Sequence, residues 1–239
     1  MLNNKKVAII GAMDCEVDTL KNCLQNLDII NSGKLKIYTG KIGNNDVIIA
    51  KSGVGKVCAA LNTQYIIDNY LPDYIINTGV AGGIDEKLDV GDIVIATSLV
   101  QHDFDATALG YVKGYMCTGD DNQKPTIFYT DEKLINLFEN AIAEVNFHSK
   151  IYRGVIATGD MFIGTPQKKL ELKELFNASA AEMEACAIAQ VATANNIPCL
   201  VVRAISDLAD CTTTKPFVEV EKAMAEFAAS TIEKLLKTM

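Results

Sequence analysis

Carboxyl side chains follow two short apolar runs of the chain, and these are the groups best suited to acid–base chemistry. Glu16 comes shortly after the run at residues 7–10, and Asp207 comes shortly after the run at residues 200–202. A positioned acid or base typically accelerates a reaction by roughly a hundredfold to ten-thousandfold, so two carboxyls at the ends of different strands could share that work. An acid at a helix N-terminus and an ion pair at a strand end are the non-catalytic interpretations.

A second pair of acids, Glu182 and Glu184, opens an apolar stretch. The pattern predicts that residues 180–185 begin a helix, where the helix dipole stabilises negative charge, and capping would account for both acids. The residues after Glu184 are nearly all apolar, so this carboxylate needs a dedicated partner. A ribose diol is one such partner.

Two glycine-rich segments lie at predicted strand ends. Residues 52–56 read Ser-Gly-Val-Gly-Lys, but Ala50 and Val57 stand where a Walker A loop needs glycine and Ser or Thr. Cys58 stands where a dinucleotide fingerprint needs its third glycine. A tight strand-to-helix turn beside a small ligand is favoured. Residues 77–83 are small enough for a base or sugar to approach the backbone, although a plain turn explains them equally well.

The apolar pattern predicts an α/β fold with a mixed, mostly parallel sheet. Runs rich in Val and Ile, typical of strands buried on both faces, occupy residues 7–10, 47–50, 74–76, 93–95, 155–156 and 200–202. Helical periodicity occupies residues 16–27, 56–70, 131–145, 184–195 and 218–236. Residues 36–43 and 46–50 flank an Asn-Asn turn, which predicts a hairpin within the sheet.

Length and charge narrow the class of protein further. With 239 residues, 49% of them hydrophobic, and no linker-like stretch, the chain is expected to form one domain over residues 1–239. The formal net charge of -8 repels phosphate backbones and anionic lipid, so neither nucleic acid nor membrane is an expected partner. No apolar run is long enough for a signal peptide or a membrane span, which makes the cytoplasm the expected location.

The cysteines and histidines do not form a metal-binding pattern. Seven cysteines are scattered over mostly apolar segments, which is typical of reduced core residues. The two histidines, His102 and His148, lie far apart with no ligand spacing around them. The sequence therefore predicts no metal site.

Six motifs occur in order along nearly the whole chain. They are Ile-Ile-Gly-Ala-Met at 9–13, Ser-Gly-Val-Gly-Lys at 52–56, Asn-Thr-Gly-Val-Ala-Gly-Gly at 77–83, Thr-Gly-Asp-Met-Phe-Ile at 158–163, Glu-Met-Glu-Ala at 182–185 and Val-Arg-Ala-Ile-Ser-Asp at 202–207. In this combination the chain resembles the 5'-methylthioadenosine/S-adenosylhomocysteine nucleosidases. The resemblance implies a nucleoside phosphorylase-like, three-layer α/β sandwich whose central sheet is flanked by helices. It also implies a homodimer that, without a cofactor, hydrolyses the bond between adenine N9 and ribose C1' of a small nucleoside.

The resemblance implies a role for each motif residue. Glu16 would activate the attacking water as general base, and Asp207 would protonate adenine N7 as general acid. This division of labour requires Glu16 to be ionised and Asp207 to carry a proton near neutral pH. The substrate-binding residues that it implies are Met13, Val54, Val80, Gly82, Phe162, Ile163, Met183, Glu184, Arg203 and Phe217, together with Tyr111, which would reach the site of the partner subunit.

Individual contacts are implied around the base and the sugar. Glu184 would accept hydrogen bonds from the ribose hydroxyls, and Met183 would pack on the sugar. Phe162 would stack on adenine while the Ile163 backbone reads the edge of the base. Arg203 would help to orient the water.

The remaining contacts concern the 5' substituent and the glycine-rich segment. Met13, Val54 and Phe217 would line the space for the 5'-thioalkyl group. At Val80 the chain departs from the bacterial pattern of the family, which has Ser there, so one hydroxyl directed at the water or the sugar is missing.

Three other functions compete with this hypothesis. A purine nucleoside phosphorylase of the same fold would need several cationic donors for phosphate, whereas the chain has only the arginines Arg153 and Arg203. A hydrolase of a related purine nucleoside, such as futalosine, would share nearly all the motifs. A non-catalytic nucleoside-binding module would need neither Glu16 nor Asp207.

Overall fold

The computed structural model describes residues 4–33, 35–119, 121, 123–145, 149–210 and 217–238, with side chains in the last range described only beyond residue 225. The strands in these ranges are β1 Lys6–Gly11, β2 Gln25–Ser32, β3 Leu35–Ile42, β4 Asn45–Lys51, β5 Tyr74–Gly83, β6 Ile93–Gln101, β7 Ile127–Tyr129, β8 Ile151–Thr158, β9 Ala178–Glu182 and β10 Cys199–Asp207. The α-helices are α1 Asp14–Lys21, α2 Lys56–Tyr70, α3 Glu132–Ala143, α4 Pro166–Phe176, α5 Ala185–Ala194 and α6 Phe217–Thr238. None of these helices combines the length and the apolar character needed to cross a membrane.

The strands form one mixed sheet. Parallel pairs join β4 to β1, β1 to β5, β5 to β10, β6 to β8 and β8 to β9. Antiparallel pairs join β2 to β3, β3 to β4, β10 to β6, β5 to β9 and β6 to β7. Because β10 pairs with both β5 and β6, the strands β5, β9, β8, β6 and β10 close into a ring. The hairpin strands β3 and β2 extend the sheet away from this ring, and β2 forms an open edge.

Helices cover both faces of the sheet. Successive residues of β1 point to opposite faces, so Ile9 belongs to one hydrophobic core and Ile10 to the other. Helices α1, α3 and α6 enclose the first core, which includes the fully buried Phe138, and α2 and α5 enclose the second, which includes Ile66. The predicted three-layer α/β sandwich with a mixed sheet is confirmed.

Two sequence-based boundaries are corrected, and one helix was missed. The helix predicted over residues 16–27 ends at Lys21, and residues 25–32 form β2 because they pair with β3 along the sheet edge. Residues 180–182, predicted to begin a helix, belong to β9, and α5 begins only at Ala185. Helix α4 was not predicted, because it buries only a narrow stripe that includes Leu172 and Phe176.

Candidate active site

One small cavity lies where the carboxyl ends of β1, β5 and β10 meet, because these strands pair in parallel with one another. Ligands of open α/β sheets bind at this end of the strands. The cavity measures about 170 Å³. It is lined by Ala12, Met13, Glu16, Val54, Val80, Ala81, Gly82, Phe162, Ala181, Glu182, Met183, Glu184, Ser206 and Asp207. The structure thus brings most of the predicted site residues together.

Glu16, in the first turn of α1, is held by backbone groups from two strand ends. Its Oε2 accepts hydrogen bonds from the N–H groups of Ala12 at 2.5 Å and Met13 at 3.0 Å. Its Oε1 accepts a hydrogen bond from the N–H of Val80 at 3.3 Å. At the position where the family pattern has a serine hydroxyl, this chain therefore still contributes a backbone donor to the carboxylate.

Burial raises the pKa of Glu16 above its ordinary value. The positive charge of Arg203 and the three backbone hydrogen bonds oppose that shift, because they stabilise the ionised form. A carboxylate with a raised pKa is a stronger base than an ordinary glutamate. The environment of Glu16 therefore suits a group that removes a proton from water.

Arg203 lies behind the cavity on β10 and is only 2% exposed. Its guanidinium donates hydrogen bonds to Asn77 Oδ1 at 2.6 Å, to Glu182 Oε2 at 2.7 Å and to the Val202 carbonyl at 2.9 Å. Its Nε has no hydrogen-bond partner within the described part of the chain. A buried N–H of this kind is expected to find a water or a ligand.

Glu182 is a site residue that the sequence analysis did not assign. Its carboxylate accepts hydrogen bonds from Arg203, from the Thr158 hydroxyl and from the backbone N–H groups of Glu184 at 3.0 Å and Ala185 at 2.8 Å. Its position two residues before Glu184 was the available signal, since two buried acids so close together need separate sets of donors. The other unassigned lining residues are Ala12, Ala81, Ala181 and Ser206.

Glu184 stands at the N-terminus of α5 and is 8% exposed. Its Oε1 accepts a hydrogen bond from the N–H of Gly55 at 2.8 Å. Burial, together with the negative charge of Glu182, raises the pKa of Glu184 to about 7. Glu184 therefore changes its charge near neutral pH.

Asp207 ends β10 and lines the cavity. Its Oδ2 accepts a hydrogen bond from the Ser206 hydroxyl at 2.9 Å, and its Oδ1 accepts one from the Ala209 N–H at 2.8 Å. The Ser206 hydroxyl can instead donate to the Ala81 carbonyl, 3.3 Å away. In that orientation the hydroxyl oxygen can accept a hydrogen bond from a protonated Asp207. Ser206 can therefore hydrogen-bond to Asp207 whether or not that carboxyl carries a proton.

Three predicted site residues do not line the cavity, and the side chain of a fourth is not described. Arg203 lies behind the cavity, and the Ile163 side chain is buried in the core beside α4. The Tyr111 ring packs on the Tyr115 ring, with 5.3 Å between centroids, and is not among the residues that line the cavity. Phe217 begins α6, and its side chain lies outside the described part of the chain.

Gly79 lies on β5 against the two charged groups. A Cβ at this position would lie 2.6 Å from Glu16 Oε1 and 3.5 Å from Arg203 Cζ. Glycine therefore allows the carboxylate and the guanidinium to approach the strand closely, and any side chain here would displace Glu16.

A larger cleft of about 590 Å³ lies between α4 and the turn after β5. Two of its lysines are already engaged, Lys173 with Asp85 at 2.7 Å and Lys169 with the Leu208 carbonyl at 2.6 Å. The smaller cavity, by contrast, presents buried carboxylates, which are the mark of a catalytic site. Among the described residues, no group of three His, Cys, Asp or Glu side chains is arranged to hold a metal ion.

The fold is that of a known class. The model of the phosphorylase superfamily matches residues 6–239 of the chain. The 5'-methylthioadenosine/S-adenosylhomocysteine nucleosidase of Staphylococcus haemolyticus is 41% identical over 234 residues, which cover 98% of this chain and 100% of that protein. The chain belongs to the phosphorylase superfamily and, within it, to the family of 5'-methylthioadenosine/S-adenosylhomocysteine nucleosidases.

Two solved structures are similar over almost their whole length. The nucleosidase of this family from Neisseria meningitidis, in complex with methylthio-immucillin-A, has a TM-score of 0.90 and 35% identity and covers 98% of this chain and 100% of its own. The futalosine hydrolase of Helicobacter pylori has a TM-score of 0.90 and 29% identity and covers 98% of each chain. The shared fold therefore serves more than one purine nucleoside.

Proposed function

We propose that the protein hydrolyses the N-glycosidic bond of 5'-methylthioadenosine and S-adenosylhomocysteine, releasing adenine and the corresponding 5-thioribose. The observation that carries this proposal is the convergence of Glu16, Glu184 and Asp207 on one small cavity. Family membership selects the substrate class, and the three carboxyls supply a base, a sugar-binding acceptor and an acid. The reaction needs no cofactor, and we place it in the cytoplasm.

The reaction divides between the two catalytic carboxyls. Asp207 donates a proton to adenine N7, so that the base leaves as a neutral molecule when the bond between N9 and C1' breaks. The sugar then carries oxocarbenium-like positive charge, which nearby carboxylates stabilise. Water attacks C1' while Glu16 accepts a proton from it, so the proton lost by Asp207 is balanced by the one gained by Glu16.

The attacking water is proposed to lie in the cavity beside Glu16. A water there can donate a hydrogen bond to the Glu16 carboxylate, and the Nε–H of Arg203, which has no hydrogen-bond partner among the described residues, would help to orient it. Phe162 and Met183, both in the cavity lining, would face the base and the sugar. The Ile163 backbone would read the edge of the base, because its side chain is buried elsewhere.

Water, rather than phosphate, suits this site electrostatically. Arg203 is already engaged by Glu182, and Arg153 lies on the protein surface with Glu132 and Glu139, 2.6 and 2.7 Å away. A phosphate dianion would therefore meet several carboxylates with little positive charge to compensate for them. This argues against phosphorolysis.

The direct test is release of adenine from methylthioadenosine in phosphate-free buffer, measured by chromatography. We expect adenine without phosphate and no acceleration when phosphate is added. Adenine that forms only with phosphate would assign the protein to the phosphorylases. Binding without any release would support a nucleoside-binding module.

Futalosine is the second candidate substrate, because the Helicobacter pylori hydrolase of similar structure acts on it. The same assay with futalosine decides between the two. We expect kcat/KM for methylthioadenosine to exceed that for futalosine. A higher kcat/KM for futalosine would instead identify the protein as a futalosine hydrolase.

We also propose that the protein acts as a homodimer. Helix α2 exposes Val57 and Leu61, which are 77% and 67% exposed, and the Val54 side chain beside them lines the cavity. A contiguous apolar surface next to a cavity is typical of an interface. In a dimer, Tyr111 of each protomer would reach the cavity of the other. Sedimentation equilibrium should give twice the mass of the chain, and Leu61→Lys should shift the protein towards monomer.

Glu184 predicts how substrate affinity depends on pH. A carboxyl whose pKa is raised to about 7 is ionised above that pH and protonated below it, and only the ionised form accepts both ribose hydroxyls. We therefore expect KM for methylthioadenosine to increase as the pH falls through about 7. In Glu184→Gln, KM should be higher and should no longer change in that range. If KM of Glu184→Gln changes with pH as it does in the wild type, Glu184 is not the group that binds the ribose hydroxyls.

The close packing at Gly79 predicts the effect of a single methyl group. In Gly79→Ala the added carbon would collide with Glu16 Oε1 and displace the carboxylate from the water that it activates. We expect kcat to fall about tenfold, since small displacements of reacting groups are costly. Binding of adenine, which does not extend to this point, should change little. Unchanged kcat in a folded Gly79→Ala protein would show that catalysis does not depend on this position of Glu16.

A further inference from the structure

Lys56, the lysine of the Gly-rich segment at residues 52–56, is partly buried and makes polar contacts with the end of β6. Its Nζ lies 2.6 Å from Asp103 Oδ1 and 3.2 Å from Gln101 Oε1. The side chains of Lys56 and Asp103 are 18% and 24% exposed, so the ion pair is largely buried. A buried pair with additional hydrogen bonds is costly to break, because either partner alone is left uncompensated.

Asp160 joins this ion pair to the loop that follows β8. Its Oδ1 accepts a hydrogen bond from the backbone N–H of Lys56 at 2.8 Å, and its own N–H donates to Asp103 Oδ2 at 2.9 Å. Burial raises the pKa of Asp103, but the hydrogen bonds from Lys56 and the Asp160 N–H outweigh it and hold that pKa below its usual value. The three residues form the Lys56 cluster, which fastens the end of β6, the start of α2 and the loop after β8 to one another.

The Lys56 cluster adjoins the cavity through Gly55. Gly55 has a φ of 96°, and a Cβ at this position would lie 3.0 Å from Asp160 Oδ1, so glycine allows the close approach of the aspartate. The N–H of Gly55 donates to Glu184 Oε1 at 2.8 Å. The place of this N–H is therefore set on one side by the Lys56 cluster and on the other by the Glu184 carboxylate.

We propose that Lys56 is a positioning residue for the sugar of the substrate. Through Asp103 and Asp160 it holds the Gly55 N–H against Glu184, and so fixes the carboxylate that receives the ribose hydroxyls. Groups behind a binding residue commonly determine its orientation in this way. The inference rests on the proposed function, because Glu184 matters in this manner only for a ligand with a sugar diol.

The test separates binding of the sugar from binding of the base. Lys56→Met removes the ammonium group but keeps a long side chain. Titration calorimetry with methylthio-immucillin-A, an uncleavable analogue with ribose-like hydroxyls, should show a Kd raised about tenfold. The Kd for adenine, which has no sugar, should stay within about twofold of wild type. KM for methylthioadenosine should rise similarly, with kcat changed by less than about threefold, and Lys56→Arg should restore affinity.

Two further variants provide a control and a substitute for Lys56→Met. Lys41→Met, which removes a similar but exposed ion pair with Asp46 at 2.8 Å, should leave both Kd values unchanged. If Lys56→Met does not fold, Asp103→Asn should show the same selective loss. If binding of adenine and of the analogue is weakened equally, or if neither Lys56→Met nor Asp103→Asn weakens binding of the analogue, Lys56 is not a positioning residue. The proposed function is unaffected by either result. A wild-type protein that binds neither ligand and releases no adenine refutes both.

Discussion

Asp207→Asn is expected to lower kcat for adenine release from methylthioadenosine by about a thousandfold. Asparagine fills the same space and can still bind beside Ser206, but it has no proton to give to adenine N7. Without that proton the base must leave as an anion, which raises the barrier by roughly 4 kcal/mol. Single-turnover kinetics with saturating enzyme measures the effect on the chemical step directly.

Asp68→Asn is the matched control for this variant, because Asp68 is an exposed acid of α2 that accepts a hydrogen bond from Gln64. It should retain wild-type kcat. Both variants should keep their affinity for adenine to within about tenfold, which separates loss of chemistry from loss of the pocket. An Asp207→Asn protein with more than a tenth of wild-type kcat would falsify the assignment of Asp207 as the acid.

Glu16→Gln should lower kcat by about a hundredfold or more, because the amide cannot take a proton from the attacking water. In the wild type, the raised pKa of Glu16 makes activity fall as the pH drops through that value, since only the ionised form is a base. In Glu16→Gln, kcat should be low and should no longer fall as the pH drops through this range. A pH profile of kcat for both proteins measures the two effects together.

The control on the same helix is Asp18→Asn, which removes a half-exposed acid paired with Lys21. It should leave kcat and its pH profile unchanged. Thermal unfolding of Glu16→Gln provides a second check. A buried carboxyl with a raised pKa loses stability as the pH rises from its unfolded to its folded pKa, so the variant should be at least as stable as wild type above that range. If Glu16→Gln retains full kcat, another group must activate the water.

Much of the site was predictable because its residues follow strands that are easy to recognise. The Val- and Ile-rich runs of β1, β5 and β10 are buried on both faces, and their pattern predicts strands with little ambiguity. Since parallel strands present their carboxyl ends at one edge, Glu16 and Asp207 were expected to meet despite their distance in sequence. The helix over residues 56–70 was predicted with its observed bounds for a similar reason, because a glycine turn precedes it.

The features that sequence did not reveal depend on partners far along the chain. Glu182 ends a short strand of small apolar residues, and such a run looks the same at the start of a buried helix. Its role follows from Arg203 and Thr158, which only the folded sheet brings to it. Strand β2 carries mostly exposed residues, so no hydrophobic alternation distinguished it from the end of α1. The partners of Lys56 were invisible for the same reason.

Because five strands close into a ring, the parts of the sheet differ in how readily they could pair with another chain. Among the described residues, each strand of the ring pairs with neighbours on both sides, whereas β2 pairs only with β3 and so leaves one side of the sheet open. Two apolar side chains of β2, Leu27 and Ile29, are each 46% exposed. Asp28 stands between them, and a charge at such a position opposes strand addition. Asp28 therefore protects the edge at which aggregation would otherwise start, three strands away from β1 and the cavity at its end.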